Sequence, residues 1–121
     1  MARQQTKKTR GETSNGQGRA SRDEVERFLN QPRAAVPVDL DGLGRVWVRD
    51  MLFEDEAKLD KVAPAERLIR AVISCTYYDE VGGPRVFEQA DAAAIRSKMT
   101  SGRIEALILG LNQAREMGKA R

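Results

Sequence analysis

The chain has 121 residues, of which 40% are hydrophobic, 5% aromatic and 32% charged, and its formal net charge is +3. This length fits one small domain with a modest aliphatic core, plus tails. With no histidine and one cysteine, the chain cannot form a histidine general base, a Cys/His zinc site or an internal disulfide.

The N-terminal segment carries the excess positive charge. Residues 1–22 contain six of the 21 basic side chains and one of the 18 acidic ones, so the remaining body is mildly acidic. Residues 1–20 have almost nothing to bury, and we expect a disordered basic arm. Its role stays open between a solubilising arm, a segment that orders on an acidic protein partner, and a nucleic-acid contact. The candidate basic residues of the arm are Arg3, Lys7, Lys8 and Arg10.

A short helix is predicted to follow the arm. Ser21 and Glu24 have the spacing of a capping box, in which a hydroxyl and a carboxylate satisfy the first free backbone N–H groups of a helix. Val25, Phe28 and Leu29 then lie on one apolar face. The helix is expected to end near Asn30 because Pro32 follows soon afterwards.

Two alternating segments then predict a β-hairpin. Residues 35–40 and 45–49 alternate apolar and polar side chains, and residues 41–44 supply a glycine-containing turn. Pro37 indicates that the first strand lies at a sheet edge, because proline cannot donate a hydrogen bond to a neighbouring strand.

Trp47 is the single tryptophan of the chain, and it falls on the face opposite Val46 and Val48. Between Arg45 and Arg49, it either covers the core from the second side of the sheet or marks a contact surface. We favour packing, and keep Trp47, Arg45 and Arg49 as candidate protein-contact residues.

The middle of the chain predicts an acidic helix within residues 50–62 and a second helix over residues 65–72, with Pro64 near its start. Residues 73–78 are rich in β-branched and aromatic side chains, which favours a strand. A turn at 79–84 and a short return strand at 85–87 would complete a second hairpin.

Two further helices are expected towards the C-terminus. Residues 90–98 are rich in alanine, and Thr100 or Ser101 can cap a last helix with an apolar stripe. Leu109 widens that stripe sideways and is a further candidate protein contact. Residues 116–121 are expected to fray.

No catalytic, cofactor-binding or metal-binding motif is present, so we expect a protein that is not an enzyme. Cys75 lies in an apolar segment and is expected to be a small buried hydrophobe. The acidic residues from Glu54 to Asp60 lack the spacing and glycine of a calcium loop and suit a solvated helix face.

No segment of about 18 apolar residues predicts a membrane helix, and no signal peptide is evident, so we expect a protein of the reducing cytoplasm.

The order of these elements resembles the small tail assembly chaperones of bacteriophages with long non-contractile tails. The points of similarity are residues 46–51 (VWVRDM) with the acidic helix that follows, 67–76, 77–87 (YYDEVGGPRVF), an alanine-rich helix, and 109–112 (LGLN). They span somewhat more than half of the chain, and their order and spacing carry the resemblance. A long basic arm is not typical of the family.

The resemblance implies a non-catalytic assembly factor of the host cytoplasm that is absent from the mature virion. Such proteins bind the tape measure protein, keep it soluble, recruit tail tube subunits and often self-associate. Many members also have a longer form made by a −1 ribosomal frameshift near the stop codon. Gly118-Lys119 is compatible with a G-GGA-AAG slippery sequence, in which case these 121 residues would be the short form.

Together these patterns predict a single small α+β domain of helices packed with one or two β-hairpins. We expect the boundaries to be a basic arm at 1–20, a chaperone-like domain at 21–117 and a frayed end at 118–121. The alternative function is a small nucleic-acid-associated or regulatory protein that acts through its basic arm. No membrane partner is expected.

Overall fold

The computed structural model describes residues 18–120, which divide into one unit ending at Pro32 and a second beginning at Arg33. The predictions for the arm and for Arg3, Lys7, Lys8 and Arg10 concern positions outside the described residues and stay predictions.

The first unit contains helix α1, Arg22–Leu29. The predicted capping box is confirmed, because the Glu24 N–H donates to Ser21 Oγ at 3.1 Å and the Ser21 N–H donates to Glu24 Oε1 at 2.7 Å. Phe28 and Leu29, on the apolar face of α1, are 65% and 68% exposed.

The second unit is built on a three-stranded antiparallel sheet in the order β1, β2, β3. Its strands are β1 (Ala35–Leu40), β2 (Gly44–Arg49) and β3 (Thr76–Tyr77). Pro37 pairs with Trp47 in the register of β1 and β2, and β1 is an edge strand, as the proline predicted.

Helix α5, Ser101–Ala120, covers the valine face of the sheet. Gly110 faces the side chains of Val36, Val38 and Val48, and the missing side chain lets the helix backbone lie close to the strands. The buried core between the helix and the sheet is aliphatic and includes Val36, Val46, Val48, Leu107, Leu111 and Ala114.

Three helices complete the second unit: α2 (Phe53–Leu59), α3 (Pro64–Cys75) and α4 (Ala92–Lys98), with a 3₁₀ turn at Gln89–Asp91 before α4. Helix α3 contacts α2, α4 and α5. Ile69 and Ile73 of α3 form a second small apolar cluster with Ile95 of α4. The predicted α+β class, with helices packed against a hairpin, is therefore confirmed.

The boundary between α3 and β3 differs from the expectation. The strand predicted at 73–78 is wrong over its first half, because α3 continues through Cys75 and β3 has two residues. Val72, Ile73 and Cys75 are all buried, so packing of the last helical turn outweighs the strand preference of β-branched Val72 and Ile73. The predicted return strand is reduced to a bridge between Tyr77 and Arg85.

Helix α5 begins as expected and ends later than expected. The Arg103 N–H donates to Thr100 Oγ1 at 3.3 Å, which confirms Thr100 as the cap. The helix runs on to Ala120, through most of the segment that was expected to fray.

Candidate functional site

The sheet face opposite α5, here called the outer face, carries three of the four predicted contact residues. Pro37 and Asp39 of β1 lie on this face with Arg45, Trp47 and Arg49 of β2 and Tyr77 of β3, as the strand register requires. Their burial differs sharply: Pro37, Asp39 and Arg45 are exposed, Trp47 is half-buried, and Arg49 and Tyr77 are buried.

Trp47 is the central residue of three cross-strand neighbours on the outer face. Its register partners are Pro37 on one side and Tyr77 on the other. Side chains that are paired in this way on one face contact each other across strands. Trp47 is half-buried at the centre of these three neighbours, so packing and protein contact both remain predictions for it.

Arg45 is bound to a neighbour on the same face. Its Nε donates to Asp39 Oδ1 at 3.0 Å across the β1–β2 ladder, and both side chains are exposed. The hydrogen bond and the charge of Arg45 lower the pKa of the Asp39 carboxyl.

Arg49 lies beneath the surface of the same strand. Its guanidinium carbon is 3.7 Å from the centroid of the Tyr77 ring, the distance of a close cation–π contact. The guanidinium carbons of Arg33 and Arg85 lie 5.1 Å and 5.8 Å from the same centroid. We call Arg33, Arg49, Arg85 and Tyr77 the arginine–tyrosine cluster.

The phenol oxygen of Tyr77 joins two of these arginines. It accepts hydrogen bonds from Arg33 Nη2 at 2.8 Å and from Arg85 Nε at 3.3 Å. Arg33 also donates to the Asp50 carbonyl at 3.1 Å, and Arg85 forms an ion pair with Asp55 at 3.5 Å. Asp55, expected on a solvated acidic face, is instead largely buried against Arg85, with 12% of its side chain exposed.

Arg49 also holds the turn that follows β3. Its Nη2 donates to the Asp79 carbonyl at 2.9 Å and to the Gly82 carbonyl. Gly82 and Gly83 both have positive φ angles, of 71° and 74°, which glycine adopts without strain. The predicted turn at 79–84 is thus confirmed, and a buried arginine from β2 fixes it.

The ionisation of the cluster reflects its burial and its crowding with positive charge. Burial lowers the pKa of Arg49, and the nearby charge of Arg33 lowers it further. Burial alone would raise the pKa of the Tyr77 phenol, but the hydrogen bonds and charges of Arg33 and Arg85 outweigh it, so that this pKa is lowered. The hydrogen bond to Tyr77 raises the pKa of Arg85.

Leu109 lies apart from the outer face. It is 59% exposed on α5, the helix that covers the other side of the sheet, so the structure does not bring it together with Trp47. Cys75 is 1% exposed, and burial raises the pKa of its thiol to about 12, as a buried small hydrophobe requires.

Two negative findings concern residues 18–120. No group of three or more acidic or cysteine side chains there is arranged to hold a metal ion. No helix in the same range combines the length and apolar character needed to cross a bilayer.

The sequence did not point to Arg33, Tyr77 or Arg85 as site residues. Arg33 lies between predicted elements, and Tyr77 is 44 residues away from it in the chain. A pattern within a short window cannot indicate such a contact. The one available signal was Arg85, placed by the predicted second hairpin opposite the strand that contains Tyr77.

Comparison of the chain with protein-family models, with curated proteins and with solved structures gave no match.

Proposed function

We propose that this protein is a non-catalytic phage tail assembly chaperone, which binds the tape measure protein, keeps it soluble and recruits tail tube subunits. The observation that carries the proposal is the order of elements that the sequence resemblance rests on. An alternating strand with VWVRD, an acidic helix, a helix leading into YYDEVGGPRVF, an alanine-rich helix and a long closing helix follow one another in the chain.

The surface of the second unit supports a role in reversible protein binding. Several large apolar side chains stand exposed on a body in which charged residues are frequent. These are Leu43, Leu52, Phe53, Leu68, Tyr78, Val81, Leu109 and Met117. Phe53, at 88% exposed, is the most accessible of them. Exposed apolar side chains among charges are compatible with the contacts of moderate affinity that a displaceable chaperone needs.

Self-association and location follow from the same proposal. The protein would act in the host cytoplasm, self-associate around its client, and be absent from the finished virion. Mass spectrometry of purified particles tests the last point. A copy number comparable to that of a structural subunit would instead indicate a permanent component of the particle.

The proposal also concerns the coding sequence. We expect a −1 frameshift at the codons for Gly118-Lys119, which would produce a minor, longer form with a second client-binding domain. A dual reporter carrying these codons should yield a few per cent or more of −1 product. Synonymous codons that remove the slippery sequence should abolish it.

The alternative is nucleic-acid binding through the arm, and a binding experiment separates the two. The full chain and a variant lacking residues 1–20 are tested against the tape measure protein and against duplex DNA over a series of salt concentrations. We expect both chains to bind the tape measure protein with similar affinity. Strong, salt-dependent DNA binding that disappears with the arm, together with no client binding, would replace the proposal by the alternative.

A further inference from the structure

The arginine–tyrosine cluster has a hydrogen-bond donor that no acceptor in the described part of the chain uses. Tyr77 Oη accepts from Arg33 and Arg85, and within residues 18–120 no acceptor receives the phenol hydrogen. A phenol is both donor and acceptor, so Tyr77 has one donor left to give.

Positive charge is concentrated around the same oxygen. Within the described chain, Arg85 pairs with the Asp55 carboxylate, whereas Arg33 and Arg49 form no ion pair with a carboxylate. Asp79 is close enough to act on Arg49 through its charge, but Arg49 gives its hydrogen bonds to carbonyl oxygens. Two of the three guanidinium groups around Tyr77 thus have no carboxylate partner among residues 18–120.

The members of the cluster differ in exposure, and Tyr77 itself is 6% exposed. The Arg85 side chain is 42% exposed and Arg33 is half-buried, while Arg49 is 7% exposed beneath the ring of Tyr77. Arg33 and Arg85 hydrogen-bond the same oxygen atom, so their guanidinium groups converge on one point. Convergent guanidinium and hydroxyl donors are the groups that recognise carboxylates and phosphates in proteins.

We propose that the arginine–tyrosine cluster binds an oxyanion, a carboxylate or a phosphate, that accepts the phenol hydrogen of Tyr77 and pairs with Arg33 and Arg85. Arg49 does not touch the anion. It holds the Tyr77 ring from below and fixes the turn beside it. This site is independent of the proposed chaperone function, and either can fail without the other.

Trp47 provides the signal for a test, because it is the single tryptophan and is the register partner of Tyr77. The full chain is titrated with sodium phosphate and, separately, with sodium acetate, while sodium chloride keeps the ionic strength constant. We expect a saturable change in Trp47 fluorescence with at least one of the two anions. A response to acetate identifies a carboxylate as sufficient, and a response to phosphate alone identifies a phosphate-type ligand.

Three variants assign the signal to the site. Arg85→Gln should weaken binding at least tenfold, because it removes a charged donor. Tyr77→Phe keeps the ring and its cation–π contacts and should weaken binding several-fold. Arg45→Gln, which removes an exposed arginine of the same face outside the cluster, should bind as the original chain does.

Two results would overturn the proposal. One is a fluorescence response to both anions no larger than that to chloride. The other is an equal affinity of the original chain and the Arg85→Gln chain. Circular dichroism establishes that each variant is folded. If Arg85→Gln is unfolded, the affinity of Tyr77→Phe is compared with that of the original chain instead, and equal affinities would overturn the proposal.

Discussion

Gly110 on α5 lies directly against Val38 on β1, so closely that a methyl group at position 110 would stand 2.9 Å from Val38 Cγ2. The same methyl group would lie 3.3 Å and 3.4 Å from the side chains of Val48 and Val36. The absence of a side chain at this position therefore sets the distance between the closing helix and the sheet.

This contact predicts opposite effects for two glycines of one helix. Gly110→Ala should be less stable than Gly102→Ala by about 1–3 kcal/mol, because the first overpacks the core and the second enters open space. The helix preference of alanine favours Gly110→Ala at least as much as Gly102→Ala, because Gly110 is in the helix interior, so a lower stability of Gly110→Ala reports the contact. Urea unfolding of the two variants measures the difference in their free energies of unfolding. Equal free energies would show that α5 does not approach the sheet at Gly110.

Leu107 and Leu109 form a second matched pair on α5. Leu107 is 1% exposed and Leu109 is 59% exposed. Leu107→Ala should lower the free energy of unfolding by about 2–5 kcal/mol, because it leaves a cavity. Leu109→Ala should change it by about 0.5 kcal/mol or less. If chemical denaturation gave the reverse order, the orientation of α5 described above would be wrong.

Arg49 and Arg45 lie on the same face of β2 with different roles. Arg49→Lys keeps the charge but loses the stacking on Tyr77 and the paired donation to the Asp79 and Gly82 carbonyls. It should cost about 2–3 kcal/mol of stability. Arg45→Lys at the exposed Asp39 pair should have no measurable effect. Thermal unfolding of both chains, followed by circular dichroism, makes the comparison, and similar losses would argue against a buried role for Arg49.

Cys75 predicts a pH dependence of stability. Burial raises the pKa of its thiol from 9.0 to about 12, so the folded chain keeps a proton that the unfolded chain loses first. The stabilisation is complete below pH 9 and declines as the pH rises towards 12. Relative to Cys75→Ala, which cannot ionise there, the original chain should lose stability between pH 8.5 and pH 10.5. Urea unfolding at both pH values tests this, and parallel curves for the two chains would contradict it.

The sequence correctly predicted those structural elements that are determined by residues close together in the chain. The capping box at Ser21, the cap at Thr100, the hairpin turn and the edge position of Pro37 each depend on residues a few positions apart. The end of α3 was missed, because Ile73 prefers a strand by itself and is held in a helix by Ile69 and Ile95.

The arginine–tyrosine cluster shows why the site was harder to predict than the fold. Arg49 was a candidate protein contact because it falls on the same strand face as Trp47, and the register confirms that the two residues share this face. Its burial depends on the turn at 79–84, which closes over it from 30 residues further along the chain. A charged residue beneath such a turn cannot be distinguished from an exposed one by its strand pattern.

The central claim is that this chain binds and solubilises a tape measure protein, and co-expression tests it most directly. A tape measure protein encoded in the same genome is expressed alone, with the full chain, and with a chain lacking residues 1–20, and its soluble fraction is measured. Our account predicts a large and similar rise in that fraction with both chains, and a smaller rise with a Phe53→Ser, Leu109→Ser chain that remains folded. A tape measure protein that stays equally insoluble in the presence and absence of the full chain would contradict the claim.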